Sequence, residues 1–197
     1  MLIIGGGVAG MQCALVLGSA KDKPYAQHKS IGLIAHQRSS HLQNALFNNA
    51  LGLSPGTTGK EILSDGLEQI REQYDNVSLI EKEKVSKIEF LSDRFKIQTN
   101  KNSYTARIVV LALNYSKPFT IDGLEDYIIP HQKANPSKDR IQLKNSDHLI
   151  QDNLYCCGTI AGHRSQFSIA AGSGAAVATD ILTVWNGGSH TKVHDKI

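Results

Sequence analysis

The sequence predicts an α/β protein in which a buried parallel sheet is interrupted by an antiparallel meander. Three observations predict this class. Continuous apolar runs, typical of strands covered on both faces, stand at 1–5, 31–35, 108–113 and 153–157. Segments that alternate polar and apolar residues, separated by short polar turns, lie between residues 85 and 106. Small and apolar residues at helical spacing follow the first run and the last one.

The first half of the chain predicts alternating strands and helices. Thr57 or Thr58 can cap a helix that runs to about Tyr74, with Glu61 as its partner in a capping box. The predicted elements are a strand at 1–5, a helix at 8–20, a loop at 21–29, a strand at 31–35, an irregular segment at 36–56, the capped helix and a third strand at 77–80.

The second half predicts the meander and the closing strand and helix. The meander strands are expected at 85–91, 94–99 and 103–106, and the sheet strands at 108–113 and 153–157. Residues 114–150 are rich in loop-forming residues, with one candidate strand at 140–143, and a long helix is expected over about 166–185. We expect one domain over 1–186 and a flexible tail over 187–197.

Composition excludes several classes of function. The 197 residues carry a net charge of +3 without a basic run, so the sequence predicts no nucleic-acid binding. There is no run of about 18 apolar residues and no signal-peptide pattern, so we expect neither a membrane span nor secretion. Three cysteines do not suggest a secreted disulfide framework, which favours a cytoplasmic protein. The adjacent Cys156 and Cys157 are interpreted as buried packing, with a redox role as the alternative.

The first ten residues contain the most informative motif, a G-x-G-x-x-G turn between a strand and a helix. Gly5 allows the tight turn, Gly7 lets a pyrophosphate approach the backbone, and Gly10 lets the helix pack closely on the strand. The N-terminus of the helix offers N–H groups and a partial positive charge to phosphates. The motif therefore predicts a Rossmann-like dinucleotide site.

Three separated segments resemble one family. They are the glycine turn followed by Ala14, the stretch Ser54–Leu63, and the pair of segments Leu154–Ala161 and Gln166–Ala176. Together they resemble the FAD-binding domain of the thioredoxin reductase-like branch of the pyridine nucleotide-disulfide oxidoreductases. The resemblance implies a three-layer FAD-binding fold, FAD as cofactor and flavin-dependent oxidoreductase chemistry.

The resemblance also implies a set of cofactor contacts. Thr159 stands where the family has an aspartate for the ribityl chain, and the helix that Gln166 opens would stabilise negative charge on a reduced flavin. For Arg38, His41 and Asn44 a solvated loop is the alternative. The full predicted set is Gly5, Gly7, Val8, Ala9, Gly10, His36, Gln37, Arg38, His41, Asn44, Val85, Ala112, Gly158, Thr159, Gln166, Phe167 and Ser168.

Further hypotheses concern the residues after the second strand and those before the last helix. No acidic residue follows the second strand, where Ala35, His36 and Gln37 are the candidates for the ribose contact. His163 and Arg164 precede the last helix and could supply a proton donor near the flavin, or form a polar surface loop. No metal site is predicted.

The departures from the family define the expected reaction partners. The family inserts an NAD(P)H-binding domain after the strand ending near Leu113, but only the roughly 40 residues of 114–153 lie there, and a second Rossmann unit needs on the order of 100. The C-x-x-C motif is also absent. We therefore expect the electron donor to be a small molecule or a protein. Whether the chain forms a homodimer is left open. The alternatives are a non-catalytic dinucleotide-binding sensor or subunit, and NAD(P) bound at the N-terminal βαβ unit.

Overall fold

The computed structural model describes residues 1–36 and 41–193. Its helices are α1 (Val8–Gly18), α2 (Gly59–Gln73) and α3 (Phe167–Trp185). Its strands are β1 (Leu2–Ile4), β2 (Ile31–Ala35), β3 (Leu46–Phe47), β4 (Thr57–Thr58), β5 (Val77–Glu81), β6 (Val85–Phe90), β7 (Phe95–Thr99), β8 (Ser103–Ala106), β9 (Val109–Leu111), β10 (Ile128–Pro130), β11 (Ile141–Leu143), β12 (Leu149–Gln151) and β13 (Leu154–Cys156).

A six-stranded sheet forms the middle layer, in the order β12-β13-β9-β1-β2-β5. All neighbours pair in parallel except β12, which runs antiparallel to β13. The sheet strands are apolar on both faces because both faces are covered. Ile3 packs with the helices, whereas Leu2 and Ile4 pack on the opposite side, as the two-residue period of a strand requires.

The two outer layers differ in kind. The three α-helices cover one face of the sheet, and their apolar residues share one cluster with Ile3, Leu33 and Val110. The antiparallel sheet β6-β7-β8 covers the other face, where Ile88 and Ile97 are fully enclosed. The α/β, three-layer prediction is therefore confirmed, including the meander.

Helices α1 and α3 are in close contact because small residues line their crossing. A Cβ on Gly174 would lie 2.0 Å from the carbonyl oxygen of Ala9, so only glycine allows this approach. α3 is long and apolar enough to cross a membrane by length and composition alone. The expectation that no segment reaches that size was therefore too strict, although Val177 and Ile181 of this helix are buried in the core of the domain.

The N-terminus of α2 follows the predicted capping box. The Thr58 hydroxyl accepts the N–H of Glu61, and the Glu61 carboxylate accepts the N–H of Thr58 at 2.6 Å. The backbone N–H of Thr58 and then its hydroxyl, which donates to the same carboxylate at 2.8 Å, lower the pKa of the Glu61 carboxyl. Thr58, of the two candidates, is the N-cap.

The region 114–150 contains more structure than the sequence indicated. The candidate strand at 140–143 is β11, and it pairs with β10 in a separate hairpin, while β12 joins the main sheet. β10 and β12, which the sequence did not indicate, are three residues long, too short for a periodic pattern to show. The prediction of a flexible tail is not tested, but Thr191 is buried and its hydroxyl lies 3.1 Å from that of Thr183.

Candidate cofactor site

A cleft of about 630 Å³ lies at the carboxyl ends of β1, β9 and β13, where α1 and α3 begin. Ligands of open α/β sheets bind at this edge, because the loops that leave the strands and the helix N-termini meet there. The walls combine the glycine turn, the segment after β9 and the turn between β13 and α3. Apolar side chains such as Ile34, Phe47 and Phe119 line much of the remainder.

In the glycine turn, Gly5 and Gly10 have a structural role, whereas Gly7 faces the cleft. Gly5 has φ +121°, and a Cβ there would lie 2.2 Å from the Ala112 carbonyl oxygen. A Cβ on Gly10 would lie 1.9 Å from the Gly5 carbonyl oxygen. Around Gly7, by contrast, a Cβ would meet nothing within 4 Å, and Gly7 is the N-cap of α1 with no side-chain cap. The helix N-terminus is therefore open to an anion at Gly7.

The opposite wall is the turn that links β13 to α3. Gly158 has φ +74°, and the half-buried Thr159 hydroxyl donates to the Leu113 carbonyl at 3.4 Å, a long bond. Gln166 is the N-cap of α3, and its side-chain oxygen accepts the Ile169 N–H at 2.9 Å. Phe167 packs against Phe47, with ring centroids 5.5 Å apart. This wall thus offers a neutral hydroxyl, a helix N-terminus and an aromatic surface.

The third side of the cleft comes from the turn between β5 and β6. Val85 lines it as predicted, together with Glu83 and Lys84. The buried Glu83 carboxylate accepts hydrogen bonds from Thr99 Oγ1 at 2.7 Å, from Asn102 Nδ2 and from Tyr104 Oη. These bonds, that from Thr99 first, lower the pKa of Glu83. Glu83 therefore anchors the meander to the rim of the cleft as an ionised acceptor.

Most predicted site residues come together in this cleft. Those that line it are Gly5, Gly7, Val8, Ala9, His36, Val85, Ala112, Gly158, Thr159, Gln166 and Phe167. Gly10 supports the turn from behind, and the exposed Asn44 and Ser168 are not among the lining residues. Gln37, Arg38 and the side chain of His41 fall outside the described part of the chain.

Sequence reasoning missed the segment 114–121, which lines the cleft after β9. The signal was present, because the residues that follow a parallel strand reach the same edge as the glycine turn. Glu83 had no such signal, since its role depends on hydrogen bonds to a different hairpin.

His163 lies beside the cleft, in a cluster of side chains at the start of α3. Its Nε2 lies 2.9 Å from Nε2 of the buried His148, and His148 Nε2 lies 3.0 Å from the Ser173 hydroxyl. Ser173 Oγ in turn accepts the Gly158 N–H at 2.9 Å. Burial first, and then the neighbouring His148, lower the pKa of His163. The exposed Arg164 donates to the Lys133 carbonyl at 3.2 Å.

The cysteines are buried free thiols. Burial raises the pKa of Cys156 to about 12 and that of Cys157 well above its ordinary value. Buried packing, rather than a redox pair, thus describes these residues. Over residues 1–36 and 41–193, no group of three or more metal-ligating side chains occurs.

The fold and the cleft define a Rossmann-like dinucleotide-binding protein. Its sequence matches the pyridine nucleotide-disulphide oxidoreductase family over residues 1–162, and the chain belongs to that family. No curated protein matches it. Members of the family bind FAD. The open N-terminus of α1 at Gly7 fits a pyrophosphate, and the size and apolar walls of the cleft fit the two ring systems.

Solved structures show the same fold. A thioredoxin reductase from Gloeobacter violaceus is 12% identical with a TM-score of 0.77, and the match covers 100% of this chain and 97% of that one. An oxidoreductase from Agrobacterium tumefaciens is 14% identical with a TM-score of 0.69, covering 93% and 97%. A ferredoxin-flavin thioredoxin reductase from Clostridium acetobutylicum is 17% identical with a TM-score of 0.69, covering 94% and 97%.

Proposed function

We propose that this protein is a small FAD-dependent oxidoreductase that takes electrons from a diffusible reductant or a partner protein. The observation that carries the proposal is the convergence of the glycine turn, Thr159 and the N-terminus of α3 on one cleft. In place of a nicotinamide-binding domain, residues 114–153 contain short elements, namely the β10-β11 hairpin, β12 and two single 3-10 turns. One of the similar structures is named as a ferredoxin-flavin reductase, which supports a protein donor as one option.

Each wall has a distinct binding task under this proposal. The pyrophosphate would lie on the α1 N-terminus at Gly7, and the adenine end beside Val85. Thr159 would bind the ribityl chain, and Gln166 and Phe167 would lie beside the flavin. The partial positive charge at the start of α3 would stabilise negative charge on the pyrimidine edge. Bound FAD would supply hydride and single-electron transfer.

The apolar walls have a chemical consequence as well. Ile34, Phe47 and Phe119 line the cleft and would exclude water from a bound ring system, which would strengthen the electrostatic effect of the α3 N-terminus. The chain's own contribution is thus to position the flavin and to stabilise charge on it. The cleft offers no buried thiolate as a redox partner, since Cys157 is protonated at neutral pH.

The test is a visible absorption spectrum of the purified protein, before and after incubation with FAD. We expect a yellow protein whose flavin absorbance is bleached by dithionite and restored by air. FMN, which lacks the adenylate, should bind more weakly than FAD. A protein that stays colourless at high FAD concentration would overturn the proposal.

A second candidate function is a non-catalytic dinucleotide-binding module. The neutral Thr159 favours it, because a threonine lacks the charge of the carboxylate that the family uses there. NAD(P) bound at the glycine turn is the third reading. A thermal-shift comparison of FAD, NADH and NADPH shows which ligand stabilises the protein, and this separates the candidates that bind different ligands. A non-catalytic module that binds FAD is distinguished because its bound flavin is not bleached.

We propose a reducing, cytoplasmic setting because the cysteines are free thiols. We propose no nucleic-acid partner and no membrane partner, and a single FAD-binding domain over residues 1–186. Size-exclusion chromatography with light scattering tests whether the chain is a monomer or a homodimer.

A further inference from the structure

A second pocket, of about 390 Å³, opens beside the cofactor cleft and shares Tyr115 and Ser165 with it. We call it the cationic pocket because its charged lining side chains are all basic or imidazole. These side chains are His131, Lys133, Lys138, Arg140, His163 and Arg164. Among the described residues no carboxylate lines it.

His131 supplies the observation that points to a ligand. Its side chain is buried, with 8% exposed, and its Nε2 has no hydrogen-bond partner within the described structure. The backbone N–H of Lys133 donates to His131 Nδ1 at 3.1 Å. A nitrogen that accepts a hydrogen bond carries a lone pair, so the proton of the neutral ring resides on Nε2. The pocket wall therefore contains a buried donor that lacks an acceptor, which is rare in folded proteins.

The neighbouring side chains give the pocket a positive charge and fix the positions of its aromatic rings. The guanidinium of Arg140 lies over the Tyr115 ring at 5.0 Å, and the Tyr115 ring meets His131 edge-on at 5.3 Å. Arg140 Nε is also buried without a partner in the described residues. Lys133 and Lys138 stand exposed at the mouth. Two buried donors in the wall and two exposed ammonium groups at the mouth suit an acceptor-only ligand with more than one negative charge.

We propose that the cationic pocket binds an oxyanion of the phosphate class, as free phosphate or as the phosphate group of a small reactant. Since the pocket adjoins the cleft at Ser165, directly before α3, a bound phosphate ester would bring the rest of its molecule to that end of the cleft. The binding itself does not depend on FAD, so it can be tested whether or not the proposed flavin chemistry is correct.

The experiment measures binding of inorganic phosphate and pyrophosphate by isothermal titration at constant ionic strength, with AMP and adenosine as separate arms. Tighter binding of AMP than of phosphate would identify an ester as the ligand, whereas equal binding would identify the free ion. We expect the double variant Lys133→Gln/Lys138→Gln to bind about tenfold more weakly, because two attractive charges are lost. The matched control Lys23→Gln/Lys60→Gln removes the same charge from exposed sites elsewhere and should bind as the wild type does.

His131→Phe tests the buried donor. This variant keeps a planar ring and removes Nε2, so phosphate should bind about tenfold more weakly while the unfolding temperature stays within a few degrees. The glycine turn is the competing anion site, and Gly7→Val serves as its control. The proposal is overturned by absence of phosphate and pyrophosphate binding, by equal affinity in the lysine double variant, or by binding that only Gly7→Val abolishes.

Discussion

At the scale of single residues, the glycine turn makes separable predictions for binding and for stability. Gly7→Val should abolish FAD binding and leave the fold intact, because its side chain enters open space where the pyrophosphate would lie. Gly10→Val should instead destabilise the protein, since its Cβ would collide with the Gly5 carbonyl. Flavin absorbance and thermal unfolding measure the two effects. Full cofactor occupancy in Gly7→Val would exclude the glycine turn as the site.

Thr159 is the residue at which this chain departs most from its family. We expect Thr159→Asp to retain FAD more tightly, because a carboxylate accepts charge-assisted bonds from ribityl hydroxyls worth roughly 1.5–3 kcal/mol. Thr159→Asn is the matched control, with similar shape and no charge. Dissociation constants from fluorescence quenching of FAD measure the difference. Equal affinity in the Asp and Asn variants would mean that other groups bind the ribityl chain.

The buried thiols give a third residue-level prediction. Because burial raises the pKa of Cys156 to about 12 and that of Cys157 well above its ordinary value, neither is a thiolate at pH 8. A colorimetric disulfide reagent should therefore label no cysteine in the native protein and all 3 after unfolding in guanidinium chloride. Rapid labelling of the native protein would restore the redox interpretation of the adjacent pair.

At the scale of elements, the sequence predicted secondary structure best where a hydrophobic pattern was followed by a characteristic turn. The strand, glycine turn and helix of residues 1–18 could be predicted because Gly5 and Gly10 have a steric reason and Gly7 leaves open space beside the helix N-terminus. The strands β10 and β12 could not, since each has three residues and depends on a partner elsewhere, whereas β11 was a candidate. The same limit applies to Glu83, whose position depends on hydrogen bonds to Thr99 and Asn102 of the meander.

The junction between β12, β13 and α3 contains the His148–His163 pair and should make stability depend on pH. The folded state lowers the pKa of His163 below its ordinary 6.5, by burial and by the adjacent His148. The unfolded chain therefore binds a proton more readily, so stability is full above about pH 6.5 and declines as the pH falls toward the folded pKa. Chemical unfolding at pH 7.5 and 5.5 measures the loss.

His163→Gln separates this pair from the other acid-sensitive groups. The variant removes the titrating ring and keeps a side chain that can donate to His148 Nε2. We expect its stability to fall less than that of the wild type between the two pH values. Parallel losses in both proteins would show that His163 does not contribute to the pH dependence.

At the scale of the whole molecule, one set of loops serves two neighbouring pockets. The cofactor cleft is largely apolar and ends at helix N-termini, whereas the cationic pocket beside it is lined by Lys133, Lys138, Arg140 and Arg164. The segment between β9 and β13 forms part of both. In this chain that short segment takes the place where the family inserts a nicotinamide domain, so under the proposed function the electron donor would have to use surfaces of the FAD-binding domain itself.

This architecture predicts how the protein responds to nicotinamide cofactors. Only one G-x-G-x-x-G is present, and by the proposed function FAD occupies it. The 40 or so residues of 114–153 cannot form a second βαβαβ unit, which needs on the order of 100 residues. NADH and NADPH should therefore reduce the flavin slowly, with a rate that rises linearly and does not saturate at physiological concentrations. Stopped-flow absorbance measures these rates, and dithionite, which needs no binding site, is the positive control. Fast reduction by either nicotinamide, saturating at micromolar concentration, would reveal a dedicated nicotinamide site in this single-domain fold.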